Sequence, residues 1–139
     1  MKKIIFILFI LTINNSIVAE KSSDFFSKSE EILPANQVFK VDVKDNKNNL
    51  QINWAIQNGY YLYLNSIKVK KFGNELEYKI LDIDLYDHSD EFFGETKIIR
   101  NKLKISLKNN DANTKPNIEI FYQGCSDKGF CYPLQNSKI

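Results

Sequence analysis

Between Phe39 and Tyr122 the apolar residues return at every second position, and this period decides what the chain can fold into. Phe39, Val41 and Val43 alternate with Lys40 and Asp42, while Leu50, Ile52, Trp54 and Ile56 alternate with Gln51, Asn53 and Gln57. Successive side chains of an extended strand point to opposite faces, so each run has one apolar and one wet face, as a half-buried strand requires. The same rhythm recurs at Ile67 and Val69, at Leu81, Ile83 and Leu85, at Leu103, Ile105 and Leu107, and at Ile118, Ile120 and Tyr122. Polar turns separate the runs, at Asp45 to Asn49 and at Asn58 and Gly59, where glycine supplies the backbone freedom of a tight turn. No stretch carries a helical stripe or a βαβ rhythm. The pattern predicts an all-β chain, an immunoglobulin-like antiparallel β-sandwich, with Trp54 as a plain core residue.

The first 19 residues belong to a different class. Lys2 and Lys3 precede an uncharged apolar run from Ile4 to Ile13, and small and polar residues follow as far as Ala19. That is the form of a cleaved secretory signal, and the run is shorter than the roughly 20 residues of a spanning helix. Residues 20–31 are polar and without pattern and read as a flexible lead-in, which leaves 32–139 as one domain. Of the 19 basic and 17 acidic side chains, two lysines lie in the leader, so the remainder is balanced in charge. Binding to nucleic acid or to an anionic membrane surface would need a basic excess or cluster. The expectation is an exported monomer without a nucleic-acid partner.

An oxidising compartment gives meaning to the two cysteines, Cys125 and Cys131, which both fall in YQGCSDKGFCYP. Zinc needs four ligands, and His88 is the sole histidine, so a metal site is not expected and His88 reads as a surface or turn residue. No serine sits in a nucleophile elbow, and Cys-His catalysis needs a free thiol where an even pair in an exported chain tends to oxidise. A staple closing so short a loop contributes only about 2.4 kcal/mol, against about 4.7 for a loop of 100 residues. Spacing alone leaves a structural staple and a reversible redox pair both open.

The residues around the pair carry more. YQGCSDKGFCYP, together with ILPANQVF (32–39), the run from Leu50 through NGYYLY (58–63) and DEFFGETKIIRNKL (90–103), resembles the N-terminal periplasmic domain of the DsbD family of thiol:disulfide interchange proteins. The resemblance covers 32–135 in order. It implies an immunoglobulin-like fold and a protein-disulfide reductase that works through its own cysteines without a bound cofactor. It further implies electrons taken from a membrane donor and passed to thioredoxin-fold periplasmic proteins, such as disulfide isomerases and the thioredoxin of cytochrome c maturation. On that reading Cys125 and Cys131 form the exchanging disulfide, with Cys131 the attacking thiolate and Cys125 the resolving thiol.

Access to such a pair has to be controlled, because Lys128 is the one cation between the cysteines and Asp127 offsets it, so an unusually acidic thiol is not expected. The stretch Asp90, Glu91, Phe92, Phe93, Gly94 breaks the strand alternation. Phe93 is expected to plug the core. For Phe92 the resemblance implies a cap over the disulfide, and Asp90 and Glu91 are either proton-balancing groups there or solvated turn charges. Tyr61 and Tyr63 share one face of their strand and match aromatics near the family's site, with core packing the alternative. Only YPLQNSKI follows Cys131, which puts the last strand in question and leaves a free-standing shuttle and a truncated gene product as alternatives. The competing function is a β-sandwich binding module with a structural disulfide.

Overall fold

The computed structural model describes residues 32–46, 49–108 and 117–139. The leader (1–19), the lead-in (20–31) and the tip of the first turn (47–48) lie outside those residues. The carbonyl of Pro34 accepts the N–H of Gln37 at 2.9 Å and winds one helical turn, α1 (Ala35–Val38), which no apolar stripe announces. It delivers buried Val38 to the base of the sheet.

Strands β1 (Phe39–Asn46) and β2 (Asn49–Ile56) then pair residue by residue, from Phe39 opposite Ile56 to Asn46 opposite Asn49. The next pieces are β3 (Tyr60–Tyr63), β4 (Lys68–Lys71), β5 (Asn74–Glu75), β6 (Lys79–Asp90) and β7 (Gly94–Lys108). After them come β8 (Ile118–Tyr122), β9 (Gly124–Ser126) and β10 (Gln135–Lys138). The short tail thus forms the strand left in question by its length, pairing with Glu119 to Tyr122 of β8.

Strand β7 organises the larger sheet. One edge carries β6 along most of its length, while the other carries β2 opposite 102–108 and then β3 opposite Ile98 and Ile99. The handover falls at Arg100 and Asn101, where Asn101 takes φ 55°, and β6 slips register on either side of Asp82 and Ile83. Such bulges bend a strand and re-aim its side chains. Strand β9 completes this sheet beside β3, and β10, β8, β4 and β5 make the second.

The core between the sheets is built from the alternating residues. Leu50, Ile52, Trp54, Leu62, Ile99, Leu103 and Ile105 come from one sheet and Val69, Ile118, Ile120 and Tyr122 from the other, all buried in one cluster. Each such side chain contributes about 1.5–3 kcal/mol by leaving water. Trp54 packs edge-on against Tyr122 at 6.2 Å between ring centroids, as a core residue with no cysteine in its cluster. The row Leu81, Ile83, Leu85 departs from expectation, since Leu81 and Leu85 are exposed and Ile83 only half-buried. Among the described residues β6 pairs only with β7, and of this row only Ile83 packs against the core cluster.

Candidate functional site

Strand β3 reads YYLY and is buried on both faces, which the period-two pattern alone does not show. Leu62 enters the main core, while Tyr61 and Tyr63 point to the other side of the same sheet. There they meet Ile98 and Cys125 in a second, smaller buried cluster, with Cys131 packed against it. The cysteine pair therefore sits on the outer face of the six-stranded sheet, apart from the hydrophobic core.

Local backbone sets the pair's position. Cys125 lies opposite Tyr61 in the β3–β9 pairing, and the residue before it has to be glycine. A Cβ at Gly124 would run into the carbonyl oxygen of Tyr61 and come within 2.7 Å of the Phe39 ring and 2.9 Å of Leu62. The chain then turns back, with Ser126 N–H donating to Phe130 O at 2.8 Å and Tyr132 N–H to Gly124 O at 2.9 Å. This hairpin places the two cysteine Cα atoms 4.0 Å apart and joined by a disulfide. Cys125 is 0% exposed, whereas Cys131 is half-buried. Of the two cysteines only Cys131 keeps exposed surface.

Behind the buried sulfur of Cys125 lies a polar node. The Tyr63 hydroxyl donates to Asp90 Oδ2 at 2.7 Å and lies 3.2 Å from Cys125 Sγ. Its one proton is committed to the carboxylate, so its free lone pairs are what face the sulfur, ready to accept from a Cys125 thiol after reduction. Burial above all, then Asp90 and Tyr61, push the Tyr63 hydroxyl far up from its ordinary value, so it stays protonated. For Asp90, burial opposes ionisation, but the bonds from Tyr63 and from the N–H groups of Phe93 and Phe92, with His88 nearby, outweigh it and hold the carboxyl below its usual range.

The same carboxylate shapes the turn above it. Asp90 Oδ1 accepts the N–H of Phe92 at 2.9 Å and of Phe93 at 2.8 Å, an Asx-type closure, and Gly94 takes φ 64° where a side chain would be strained. Phe93 does not plug the core: it is 52% exposed, and its ring lies 4.4 Å from that of Tyr63. The turn's hydrogen bonds lift both aromatics off the strand and out of reach of the core. Phe92 is 61% exposed, and Glu91 is exposed at the turn.

Three residues belong to this face to which the sequence reading assigned no part in the site. His88 is not an ordinary turn residue, because it sits in β6 with its ring 5.0 Å from Tyr61 and its Nε2 3.2 Å from Asp90 Oδ2. No in-line hydrogen bond forms there, so the approach becomes an ion pair only when the ring is protonated. Arg100 lies over the Tyr61 ring at 5.3 Å and grips Asp127 with both arms, Nη1 to Oδ2 at 3.0 Å and Nη2 to Oδ1 at 2.7 Å. The charge of Asp127 is thus spent on Arg100 of β7, across β3. Arg100 is the one arginine in the sequence, a signal that was there to be read.

Comparison with known proteins agrees with this geometry. The family model described as thiol:disulfide interchange protein DsbD, N-terminal, matches residues 29–139. The thiol:disulfide interchange protein DsbD of Escherichia coli K12 is 35% identical over 112 residues, which cover 78% of this chain and 19% of that protein. That of Citrobacter koseri is 35% identical over 109 residues with the same coverage. The chain spans about a fifth of the length of these relatives. Among solved structures, the reduced N-terminal domain of Neisseria meningitidis DsbD superposes with a TM-score of 0.67 at 23% identity, over 78% of this chain and 87% of that one. The same organism's domain in complex with the PilB N-terminal domain gives 0.57 at 20% identity, over 78% of this chain and 86% of that one. These likenesses bear out the immunoglobulin-like fold expected from the strand pattern.

Proposed function

The chain belongs to the family of DsbD N-terminal domains, and from that premise we propose that Cys125 and Cys131 form a reversible disulfide that carries two electrons between protein partners. The observation that carries this reading is the asymmetry of the pair: a fully buried Cys125 backed by Tyr63 and a half-buried Cys131, both outside the main core cluster. A staple would do little here. It closes a loop worth about 2.4 kcal/mol, in a domain whose main core cluster contains no cysteine.

In the loading step a donor thiolate attacks Cys131 Sγ, a donor–Cys131 bond forms, and Cys125 leaves as a thiolate that takes up a proton. A second donor thiol displaces Cys131, so the donor ends as a disulfide and this domain as a dithiol. Unloading runs in reverse: the Cys131 thiolate attacks a partner disulfide, and Cys125 resolves the mixed disulfide. The Tyr63 oxygen, 3.2 Å from Cys125 Sγ, accepts from the Cys125 thiol once it is protonated. The turn from Asp90 to Gly94 acts as the lid, with Phe93 seated on Tyr63 and exposed Phe92 offering the apolar surface that a docking partner takes up.

The leader at 1–19 sends the chain to the periplasm, where a membrane donor reduces it and thioredoxin-fold proteins oxidise it. That a related domain has been solved with the PilB N-terminal domain supports a protein partner. The test is the reduction potential, measured by glutathione equilibration and thiol alkylation. An exchanging pair lies above about −300 mV, and a value well below that line favours the binding module with a structural disulfide.

A further inference from the structure

The tip of the cysteine hairpin is tied to the sheet through one residue. Asp127 follows Cys125 by two positions, donates its N–H to Gly59 O at 2.8 Å and gives its carboxylate to both arms of Arg100. The guanidinium starts on β7, passes over Tyr61 of β3 and ends on the turn after β9, so one side chain straps three neighbouring strands. A two-armed grip of this kind needs the planar fork of arginine, which the point charge of a lysine does not reproduce. In a chain with 19 basic residues, this is the one place where arginine is used.

We propose that Arg100 is a positioning residue for the exchange: through Asp127 it keeps the cysteine hairpin in its disulfide-like arrangement after reduction, and so sets how readily the pair re-forms its bond. The inference rests on the redox reading above. Closing the disulfide passes two electrons and the two thiol protons to a partner disulfide, which becomes a dithiol, and neither Arg100 nor Asp127 gains or loses any. Their effect is on ordering. The S–S bond and the ion pair restrain the same hairpin, so whichever is present leaves less freedom for the other to remove, and by linkage each strengthens the other by the same factor. Without the strap the dithiol gains conformations that the disulfide lacks, and the balance moves toward the reduced form.

The experiment uses Asp127→Asn, which keeps the shape and removes the charge, and Arg100→Lys, which keeps a cation near Tyr61 but cannot fork. Each full chain is equilibrated with glutathione buffers and the dithiol fraction is read by alkylation. Because a partly exposed pair contributes modestly, the expected shift is about threefold toward the dithiol, or about 14 mV for this two-electron couple. The double variant should shift no further than either single one, since both remove one interaction. A dithiol fraction that does not rise in either single variant overturns the proposal, and a lowered urea midpoint with an unmoved potential shows that the strap is merely structural. The redox reading fails separately, if the wild-type potential itself lies in the range of structural disulfides, because the variant-to-wild-type ratio still reports on the strap.

Discussion

Tyr63→Phe isolates the polar node behind the disulfide. The ring keeps its contacts with Tyr61 at 5.4 Å and Phe93 at 4.4 Å, and only the hydroxyl is lost. That hydroxyl donates at 2.7 Å to an ionised carboxylate, and such bonds contribute about 1.5–3 kcal/mol. Asp90 retains the N–H groups of Phe92 and Phe93, and its side chain is 14% exposed, so water can take part of the vacancy. The loss should therefore fall near the lower bound, about 1.5 kcal/mol. Urea unfolding at neutral pH should show a lower midpoint with an unchanged m-value. The same change removes one of the bonds that hold the Asp90 carboxyl down, so its titration should move up toward the ordinary aspartate value of about 3.9. A variant as stable as wild type, with the Asp90 titration unmoved, would refute the node.

Wild-type Asp90 has a depressed folded-state pKa, so its contribution to stability is present above the unfolded value of about 3.9 and is lost as pH falls through the lower folded value. The amide NMR signals of Phe92 and Phe93 should follow that titration with a midpoint below 3.9, and a midpoint at or above it would contradict the assigned bonds. Gly124→Ala drives a methyl group into the Tyr61 carbonyl and the Phe39 ring, and should cost at least the 1–3 kcal/mol typical of overpacking. An unchanged urea midpoint would show that β9 can shift. Phe92→Ala and Phe93→Ala should both speed reduction by dithiothreitol, while each lowers stability by less than the roughly 3–5 kcal/mol of a core phenylalanine. Unchanged thiol reactivity in both variants would remove the lid.

The sandwich was legible because its strands obey one simple period, and the outcome at Leu50 to Ile56 or Ile67 and Val69 follows it directly. The period failed where its premise failed. Leu81 and Leu85 alternate correctly but lie on an edge strand, and Tyr61 and Tyr63 sit on a face covered by a second cluster, a matter of tertiary layering that no local pattern records. The cysteine hairpin and the DEFFG turn stood out as motifs. The seat of Phe93 did not, because two adjacent aromatics look alike until the Asp90 bonds orient the turn. His88 and Arg100 come from β6 and β7 and both reach Tyr61, which lies beside them because β7 exchanges β2 for β3 along one edge. That handover depends on register and was out of reach of spacing arguments.

The account stands on Cys131 being the sulfur that reacts and Cys125 the one that is sealed, and single-cysteine variants test this directly. Each variant is mixed with an oxidised thioredoxin-fold protein and the products are separated without reductant. Cys125→Ser, which leaves the half-buried Cys131, should accumulate a mixed disulfide, while Cys131→Ser, which leaves the fully buried Cys125, should not. A mixed disulfide formed through Cys125 alone would contradict the account.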